Sequence, residues 1–465
     1  MIRLFHVYFP CRTVVLVLSE ALVLALTMWV AAFGVFGMGA GQIPRYESEL
    51  LKIGFVVGVC LVCMHYYDLY NSIVLHNTGQ MVTRIVQMLG MACVILALAY
   101  YAVPVTRLSQ DWLVGWILLA GVGLIVWRRL YLELSRSARY SQRTLLLGAG
   151  PLASELAKAI ESRPELGLSL AGYVAAEPAA DSELTHVKYL SCPNDDNFTE
   201  FLEIHKIQRV IISIVNRRGG LPMEQLLQAK ARGITVDDGA TFYEAIAGRV
   251  DLSSLRPSVL LFSDGFQVSP LMLVFKRAVS VLGSIIGLTV TLPVMALIAV
   301  LIRLESHGPA IFRQKRIGQD GRPFTLYKFR SMYEGADLNG LVRAAEAGDA
   351  RCTRVGKWLR RSRLDELPQL FNILRGDMDF IGPRPFAANM EAELADKIPY
   401  YSKRWAVKPG ATGWAQVRKG YNETLADNIE KLGYDLYYIK NVSVGLDFLI
   451  LLETLKILLL GRGGR

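Results

Sequence analysis

Apolar residues dominate the first 130 positions of the chain, where they fall into four long runs separated by short polar stretches. A helix needs about 20 mostly apolar residues to cross a bilayer. The first and third runs reach that length, while the second and fourth are shorter. The pattern predicts a bundle of four membrane helices within residues 1–135, at about 13–36, 51–67, 85–105 and 112–127.

The fourth apolar run ends in a cluster of arginines. Positively charged residues next to a membrane helix favour the cytoplasmic side of the membrane. An even number of spans then places the N-terminus in the cytoplasm as well. The arginines are Arg128, Arg129, Arg136, Arg139 and Arg143.

Residues 136–255 change to short apolar strands that alternate with amphipathic helices. TLLLGAGPLASELAKAI reads as a strand, a turn with Gly148 and Gly150, and a helix, and LAGYVAAE and QRVIISIV read as two further strands. This alternation is typical of a parallel sheet with helical crossovers, so we expect a Rossmann-like domain. The glycine turn suits close helix–sheet packing as well as phosphate binding, and both interpretations stay open.

A fifth apolar run, at about 275–302, lies between basic residues. It is long enough to cross the membrane, and a crossing would move the rest of the chain out of the cytoplasm. Lys276 and Arg277 precede it, Arg303 follows it, and Pro293 interrupts the helical hydrogen bonds near its middle. A re-entrant hairpin that enters and leaves on one face satisfies both basic flanks, and an ordinary fifth span is the alternative.

The composition fits a chain that is partly in lipid and excludes several classes of protein. The 465 residues are 52% hydrophobic, with a net charge of +10 and no basic run interleaved with aromatics, so nucleic acid is not an expected partner. The six histidines and six cysteines lack the spacing of a zinc site. GxxxxGK[ST] and GxSxG are absent, which argues against a P-loop NTPase and the common hydrolase elbow.

An arginine-rich region from 303 to 418 contains two adjacent acids, Asp365 and Glu366, in the stretch RRSRLDELPQLFN. Arginine forks bind phosphate oxygens. An acid inside a phosphate site is explained if it reacts with the phosphate or holds a bridging divalent cation. The alternative is that the acids neutralise neighbouring arginines or cap a helix that begins near Pro368. The spacing alone favours neither interpretation.

Several stretches, in order, resemble the bacterial sugar transferase family, the polyprenyl-phosphate hexose-1-phosphate transferases. They are FKRAVSVLGSIIG, KFRSM, RLDELPQLFNILRGDMDFIGPRP and KPGATGWAQV, and the resemblance covers about residues 270–465. The preceding helices and Rossmann-like domain resemble the long, exopolysaccharide-type monotopic members. The resemblance implies an α-rich catalytic domain at 256–465 with a re-entrant helix around Pro293.

The resemblance also implies an activity at the bacterial inner membrane, with the catalytic and Rossmann-like domains in the cytoplasm. Sugar 1-phosphate, from UDP-glucose or UDP-galactose, would move to undecaprenyl phosphate, releasing UMP in the first step of exopolysaccharide synthesis. Asp365 would be the nucleophile, and Glu366 with Asp365 would hold Mg²⁺. A homodimer is expected. The cations expected to bind phosphates are Lys328, Arg330, Arg351, Arg354 and Arg384.

One position departs from the family pattern. The family usually reads KRxxD where this chain has Ser280 after Lys276 and Arg277. A serine cannot form the ion pair expected with a nearby arginine, so the anchoring of the hairpin is left open. Near the C-terminus, residues 446–460 read as an interfacial or subunit-packing helix, with membrane insertion as the alternative.

Two other functions are alternatives to the transferase. A membrane nucleotide-sugar dehydratase needs a YxxxK motif, which this sequence lacks. A non-catalytic scaffold for polysaccharide assembly would not need acids set against a phosphate pocket. The sequence does not separate two hexoses that differ at one hydroxyl.

Overall fold

The structure of the chain is a computed structural model, and its residues form two compact units. Apart from short N-terminal stretches, one unit runs from Tyr8 to Phe242 and the other from Tyr243 to Arg465. The structure describes residues 2–4, 7–36, 47–71, 74, 77–104, 110–136, 141–175, 184, 187–191, 198–214, 221–252, 255, 269–336, 349–419 and 424–459.

Four long helices form the N-terminal part of the first unit, in the order that the hydrophobic pattern predicts. The Trp112 indole donates to the Met28 carbonyl at 2.8 Å. Arg128 and Glu20 form an ion pair at 2.6 Å, and neither side chain is exposed. The elements are β1 (Ile2–Leu4), β2 (Val7–Phe9), α1 (Cys11–Phe36), α2 (Glu47–Tyr66), α3 (Thr78–Ala102) and α4 (Gln110–Arg136).

Four stretches of the described residues are long and apolar enough to cross a membrane. Three belong to the N-terminal bundle, and the fourth is the later apolar run that contains Pro293. The predicted second span at 51–67 corresponds to Leu50–Tyr66, a shorter apolar helix. The candidate spans are Cys11–Gly34, Thr78–Ala102, Trp112–Ser135 and Pro270–Glu305.

A four-stranded parallel sheet, with strand order β4-β3-β5-β6, completes the first unit and confirms the predicted parallel α/β architecture. The turn after β3 contains Gly148 at a φ of 118°, in the left-handed region that favours glycine. The elements are β3 (Gln142–Leu147), α5 (Pro151–Glu161), β4 (Leu168–Val174), α6 (Phe198–Ile204), β5 (Arg209–Ile212), α7 (Met223–Ala231), β6 (Thr235–Asp238) and α8 (Gly239–Ala247).

The second unit is mostly helical, with two small sheets. Strands β7 and β8 form an antiparallel hairpin, while β9 and β10 pair in parallel. The helix expected near the C-terminus is present as the last element. The elements are α9 (Pro270–Glu305), β7 (Ile311–Ile317), β8 (Pro323–Phe329), α10 (Arg354–Ser362), α11 (Gln369–Arg375), β9 (Asp379–Ile381), α12 (Ala388–Lys397), β10 (Gly410–Thr412), α13 (Trp414–Arg418), α14 (Leu425–Lys440) and α15 (Val444–Leu459).

Helix α9 continues through Pro293 as one helical element of 36 residues. The two halves of α9 contact different parts of the second unit. In the first half, Ser280 and Gly283 lie against β9. In the second half, Ile298 and Ile302 belong to an apolar cluster with residues of β8 and α10.

Candidate active site

Asp365 and Glu366 lie on a single 3₁₀ turn, Leu364–Glu366, between α10 and α11. Helix α10 ends at Ser362, and the next residue, Arg363, adopts a left-handed φ of 58°. This conformation costs a residue other than glycine about 1–2 kcal/mol. It turns the chain so that Asp365, only 9% exposed, points into the domain.

The two helices that flank the acidic turn are fastened to β8 and the residues after it. A Cβ added to Gly356 in α10 would lie 2.0 Å from the Ser331 carbonyl oxygen, so only glycine permits this approach. In α11, the Asn372 amide donates to the Thr325 carbonyl at 2.7 Å and accepts from the Tyr327 N–H at 3.0 Å. These contacts hold the acidic turn beside Lys328 in β8.

Two cations converge on Glu366. Lys328 Nζ lies 3.2 Å and an Arg384 guanidinium nitrogen 2.8 Å from Glu366 Oε1. Burial acts to raise the pKa of Glu366, but Arg384 and Lys328 together lower it well below its usual range. The two cations therefore stabilise the ionised form of Glu366.

The neighbouring acid is shifted in the opposite direction. Burial, aided by the Glu366 charge, raises the pKa of Asp365 to about 6, although Lys328, Arg360 and Arg384 oppose this rise. A carboxylate with little solvation and a pKa close to neutrality is the kind of group that enzymes use as a nucleophile or a general base.

The loop 382–386, which carries Arg384, is held by hydrogen bonds from two arginine side chains. Arg404 donates to the Arg384 carbonyl at 2.8 Å, and Arg316 donates to the Pro385 carbonyl at 2.9 Å. The backbone of the loop therefore has little freedom to move away from Glu366. Arg404 is 4% exposed and also pairs with Glu391 at 3.3 Å and Asp435 at 2.9 Å.

The structure brings two of the five predicted phosphate-binding cations, Lys328 and Arg384, to the acidic turn. Arg330 instead donates to the carbonyls of Ser306 and His307, just after α9. Strand β8 ends at Phe329, so the alternation that would place Arg330 on the same side as Lys328 does not continue.

The other two predicted cations also have different surroundings. Arg351 pairs with Asp349 at 2.7 Å, and the Arg354 side chain is exposed in the first turn of α10. The largest charge effects on the acidic turn come from Lys328, Arg360, Arg363 and Arg384.

Sequence reasoning missed other cations that the fold places near the two acids. Arg360 and Arg363 act on them through their charge, and both flank the acids in the sequence. Arg316 in β7 is half-buried close to Arg384, and desolvation together with the Arg384 charge lowers the pKa of Arg316 to about 10. Arg316 was detectable only as one of several basic residues in the RQKR stretch.

The two acids also fit a magnesium ion by their chemistry. Mg²⁺ is usually held by one or two carboxylates together with substrate phosphates, rather than by a complete protein cage. Asp365 and Glu366 supply two carboxylates, and the ion pairs of Lys328 and Arg384 with Glu366 both fall on Oε1. Within the described ranges there is no cluster of three or more His, Cys, Asp or Glu that could hold a metal without a substrate.

Comparison with known proteins gives the same class of protein as the site. The family model of bacterial sugar transferases matches residues 271–461, and that of a CoA-binding domain matches residues 65–220. The chain is 33% identical to the UDP-glucose:undecaprenyl-phosphate glucose-1-phosphate transferase of Escherichia coli K12 over 354 residues, which is 74% of each protein. The chain therefore belongs to the bacterial sugar transferase family.

Two further relatives differ in length from this chain. The UDP-N-acetylgalactosamine-undecaprenyl-phosphate N-acetylgalactosaminephosphotransferase of Aeromonas hydrophila is 43% identical over 222 residues, 48% of this chain and 52% of that protein. The exopolysaccharide production protein PSS of Rhizobium leguminosarum bv. phaseoli is 39% identical over 188 residues, 39% of this chain and 94% of that protein. The match thus spans about half the length of the Aeromonas relative.

Proposed function

We propose that this protein transfers sugar 1-phosphate from a UDP-sugar to undecaprenyl phosphate, forming undecaprenyl-diphosphate-sugar and UMP. The observation that carries the proposal is the buried Asp365 carboxylate, with its pKa raised to about 6, beside a Glu366 that is held ionised by Lys328 and Arg384. The activities that the Escherichia coli and Aeromonas relatives are named for support this donor and acceptor class.

In the proposed mechanism, Asp365 attacks the sugar-bearing phosphorus of the donor, and the bond to the UMP oxygen breaks. The resulting aspartyl phospho-sugar is then attacked by a phosphate oxygen of the lipid, which releases Asp365. Lys328 and Arg384 reduce the repulsion between the carboxylate and the phosphates. Asp365 and Glu366 would hold Mg²⁺, which would neutralise phosphate charge when bound.

The contacts at the two ends of α9 support a re-entrant placement in a bacterial inner membrane. A straight helix from Lys276 to Glu305 would be about 44 Å long, longer than the roughly 30 Å apolar core of a bilayer. Yet Lys276 pairs with Asp447 at 2.9 Å, and Glu305 accepts from the Arg354 N–H at 2.6 Å. Both ends bind polar groups of one compact unit, which favours a bend near Pro293 and a cytoplasmic catalytic domain.

Two finer features belong to the same proposal. The parallel sheet and the glycine turn at Gly148 support a Rossmann-like domain. A homodimer follows from the family resemblance, and the exposed apolar side chains Phe448 and Leu455 on α15 offer a surface for a second copy.

The first test measures UMP release by detergent-solubilised protein with Mg²⁺ and undecaprenyl phosphate. UDP-glucose, UDP-galactose and UDP-N-acetylgalactosamine are compared, because the relatives differ in the sugar that they are named for. We expect lipid-dependent UMP from one donor. Asp365→Asn should abolish it, since an amide is too weak a nucleophile.

A second readout isolates the covalent step. With a donor labelled in the sugar and no lipid acceptor, the wild type should retain label on the protein and Asp365→Asn should not. UMP release that persists in Asp365→Asn would contradict the mechanism. Folded protein that releases no UMP from the three donors would favour the scaffold function.

A further inference from the structure

The residue that departs from the family pattern has a buried partner. Ser280 is 3% exposed, and its hydroxyl donates to the Asp379 carboxylate at 3.0 Å. Asp379 is 8% exposed and is the first residue of β9. The family pattern has an acid at position 280. In this chain the helix has a serine there, and the acid of the contact is Asp379 on β9. A buried carboxylate needs such donors, because its desolvation is otherwise costly.

Ser280 lies on one face of α9 together with Lys276 and Gly283, since they are spaced by four and three residues. Lys276 Nζ donates to the Ile381 carbonyl, at the far end of β9, at 3.3 Å. A Cβ added to Gly283 would lie 2.8 Å from the ring of Phe380, the middle residue of β9. This face of the helix therefore contacts all three residues of the strand.

Strand β9 leads directly to Arg384, which follows Ile381 by three residues. The Gly382 N–H donates to the Thr412 carbonyl of β10 at 2.9 Å, so the intervening segment is held close to the sheet. Arg384 then reaches Glu366 at 2.8 Å. Because this connection is short and hydrogen-bonded, a shift of β9 on α9 would change the position of the Arg384 guanidinium relative to the two acids.

We infer that Ser280 and Asp379 are positioning residues for Arg384. Their hydrogen bond fixes β9 on the membrane helix and so sets the approach of Arg384 to Glu366. Relative to the family pattern, the acid has moved from the helix to the strand, so the carboxylate is on the strand and the hydroxyl is on the helix. The inference rests on the proposed function, because the role of Arg384 is part of that function.

The test is a reciprocal exchange. Ser280→Asp places two carboxylates together in a buried contact, and Asp379→Ser removes the acid from it. We expect each single variant to lower kcat/KM for the UDP-sugar by about tenfold or more. The double variant, Ser280→Asp with Asp379→Ser, restores one carboxylate and one hydroxyl and should regain most of the loss.

Ser284 provides a matched control one turn further along α9. It is fully buried, and its hydroxyl donates to the Ser280 carbonyl within the helix at 2.6 Å. Ser284→Ala should leave kcat/KM unchanged, whereas Ser280→Ala should lower it several-fold. Because the Ser280 hydroxyl is proposed to act through Arg384, the same Ser280→Ala change should have much less effect in an Arg384→Ala background.

Each outcome separates positioning from a purely structural role. A double variant that is no more active than the single variants would overturn the inference. Equal losses from Ser280→Ala with and without Arg384 would overturn it too. A wild type that releases no UMP contradicts the proposed function instead. The single and double variants are then compared by their thermal unfolding temperatures. In that case the double variant has to regain the Tm lost by each single variant, or the pairing itself is wrong.

Discussion

Asp365 and Glu366 are neighbours on one turn, yet their surroundings separate their pKa values. Lys328 and Arg384 hold Glu366 ionised, while burial raises the pKa of Asp365 to about 6. Pairs of titratable groups whose pKa values are pushed apart often divide the chemical roles between them. In the proposed reaction, the acid that is less stabilised as an anion is the one that attacks.

The raised pKa of Asp365 predicts an acidic limb in the pH–rate profile. The nucleophile has to be ionised, so kcat/KM should fall as the pH drops through about 6. Glu366→Gln removes a negative neighbour, so it should move this limb to lower pH in the activity that remains. The profile is measured by UMP release at subsaturating donor. A limb near pH 4 in the wild type would show that Asp365 is not desolvated.

Arg330 and Arg384 form a matched pair for separating structure from catalysis. Arg330→Gln leaves the Ser306 and His307 carbonyls without their donor, so it should lower the free energy of unfolding by about 1–3 kcal/mol. Arg384→Gln leaves Lys328 beside Glu366, so it should lower stability less than Arg330→Gln does, and it should lower kcat/KM by about 100-fold or more. Thermal unfolding and UMP release on both variants check this. A large loss of activity with unchanged stability in Arg330→Gln, and the opposite in Arg384→Gln, would indicate that Arg330 is the residue in the phosphate site.

At the scale of single residues, sequence reasoning reached the acids and two of their cations. The unusual feature of two carboxylates among arginines was visible without a structure. Arg330 contacts the Ser306 and His307 carbonyls, because the strand ends before it and the end of a strand is not visible in the sequence pattern. Arg404 and Asn372 went unnoticed, since they hold backbone carbonyls and strands and have no chemical signature of their own.

At the scale of elements, α10 depends on one glycine. Gly→Ala within an exposed helix usually stabilises by up to about 1 kcal/mol. Gly356→Ala should instead destabilise the protein by several kcal/mol and lower activity, because the new methyl group would meet the Ser331 carbonyl. Gly90→Ala in α3 is the control, since no atom lies within 4 Å of the added Cβ. Equal unfolding temperatures for the two variants would contradict this account.

The placement of α9 can be tested at its two ends. Leu271 is 78% exposed and Leu304 is 79% exposed, which makes them matched sites for single cysteines in a background without the natural ones. We expect a membrane-impermeant maleimide to label both from the cytoplasmic side, with inverted and right-side-out vesicles as the comparison. Labelling from opposite sides would show an ordinary membrane span.

Element types were predicted better than element lengths. The parallel strands follow from short apolar runs that alternate with amphipathic helices. The membrane helices follow from the length of their apolar runs. The sequence predicted that Pro293 removes a helical hydrogen bond near the middle of α9, and the structure has one helical element through this proline. The fourth N-terminal helix continues to Arg136, because basic residues extend it beyond its apolar run.

At the scale of the whole molecule, the second compact unit includes residues 243–255, which precede the domain boundary predicted at residue 256. Glu244 pairs with Lys440 at 2.7 Å, and the Trp414 indole donates to the Gly248 carbonyl at 2.7 Å. The Val250 N–H donates to the Gly433 carbonyl at 3.0 Å. These contacts fasten residues 244–250 to α13 and α14. A break in composition marks a change of element type but not where the tertiary contacts divide.

This boundary predicts how fragments will behave. A fragment of residues 243–465 keeps the contacts of the acidic turn described above, so it should retain lipid-dependent UMP release. A fragment of residues 256–465 lacks the three contacts at 244–250 and should unfold at a lower temperature. The Rhizobium relative, of which this chain's match covers 94%, is similarly short. Equal stability of the two fragments would show that the 244–250 contacts contribute little.

The re-entrant placement proposed for α9 would also determine where the product is left. A catalytic unit that meets only one leaflet takes its lipid from that leaflet and returns the sugar-bearing lipid to it. The diphosphate and the sugar are too polar to cross the apolar core unaided. Any use of this sugar on the far side of the membrane therefore depends on a separate protein that moves the lipid head across.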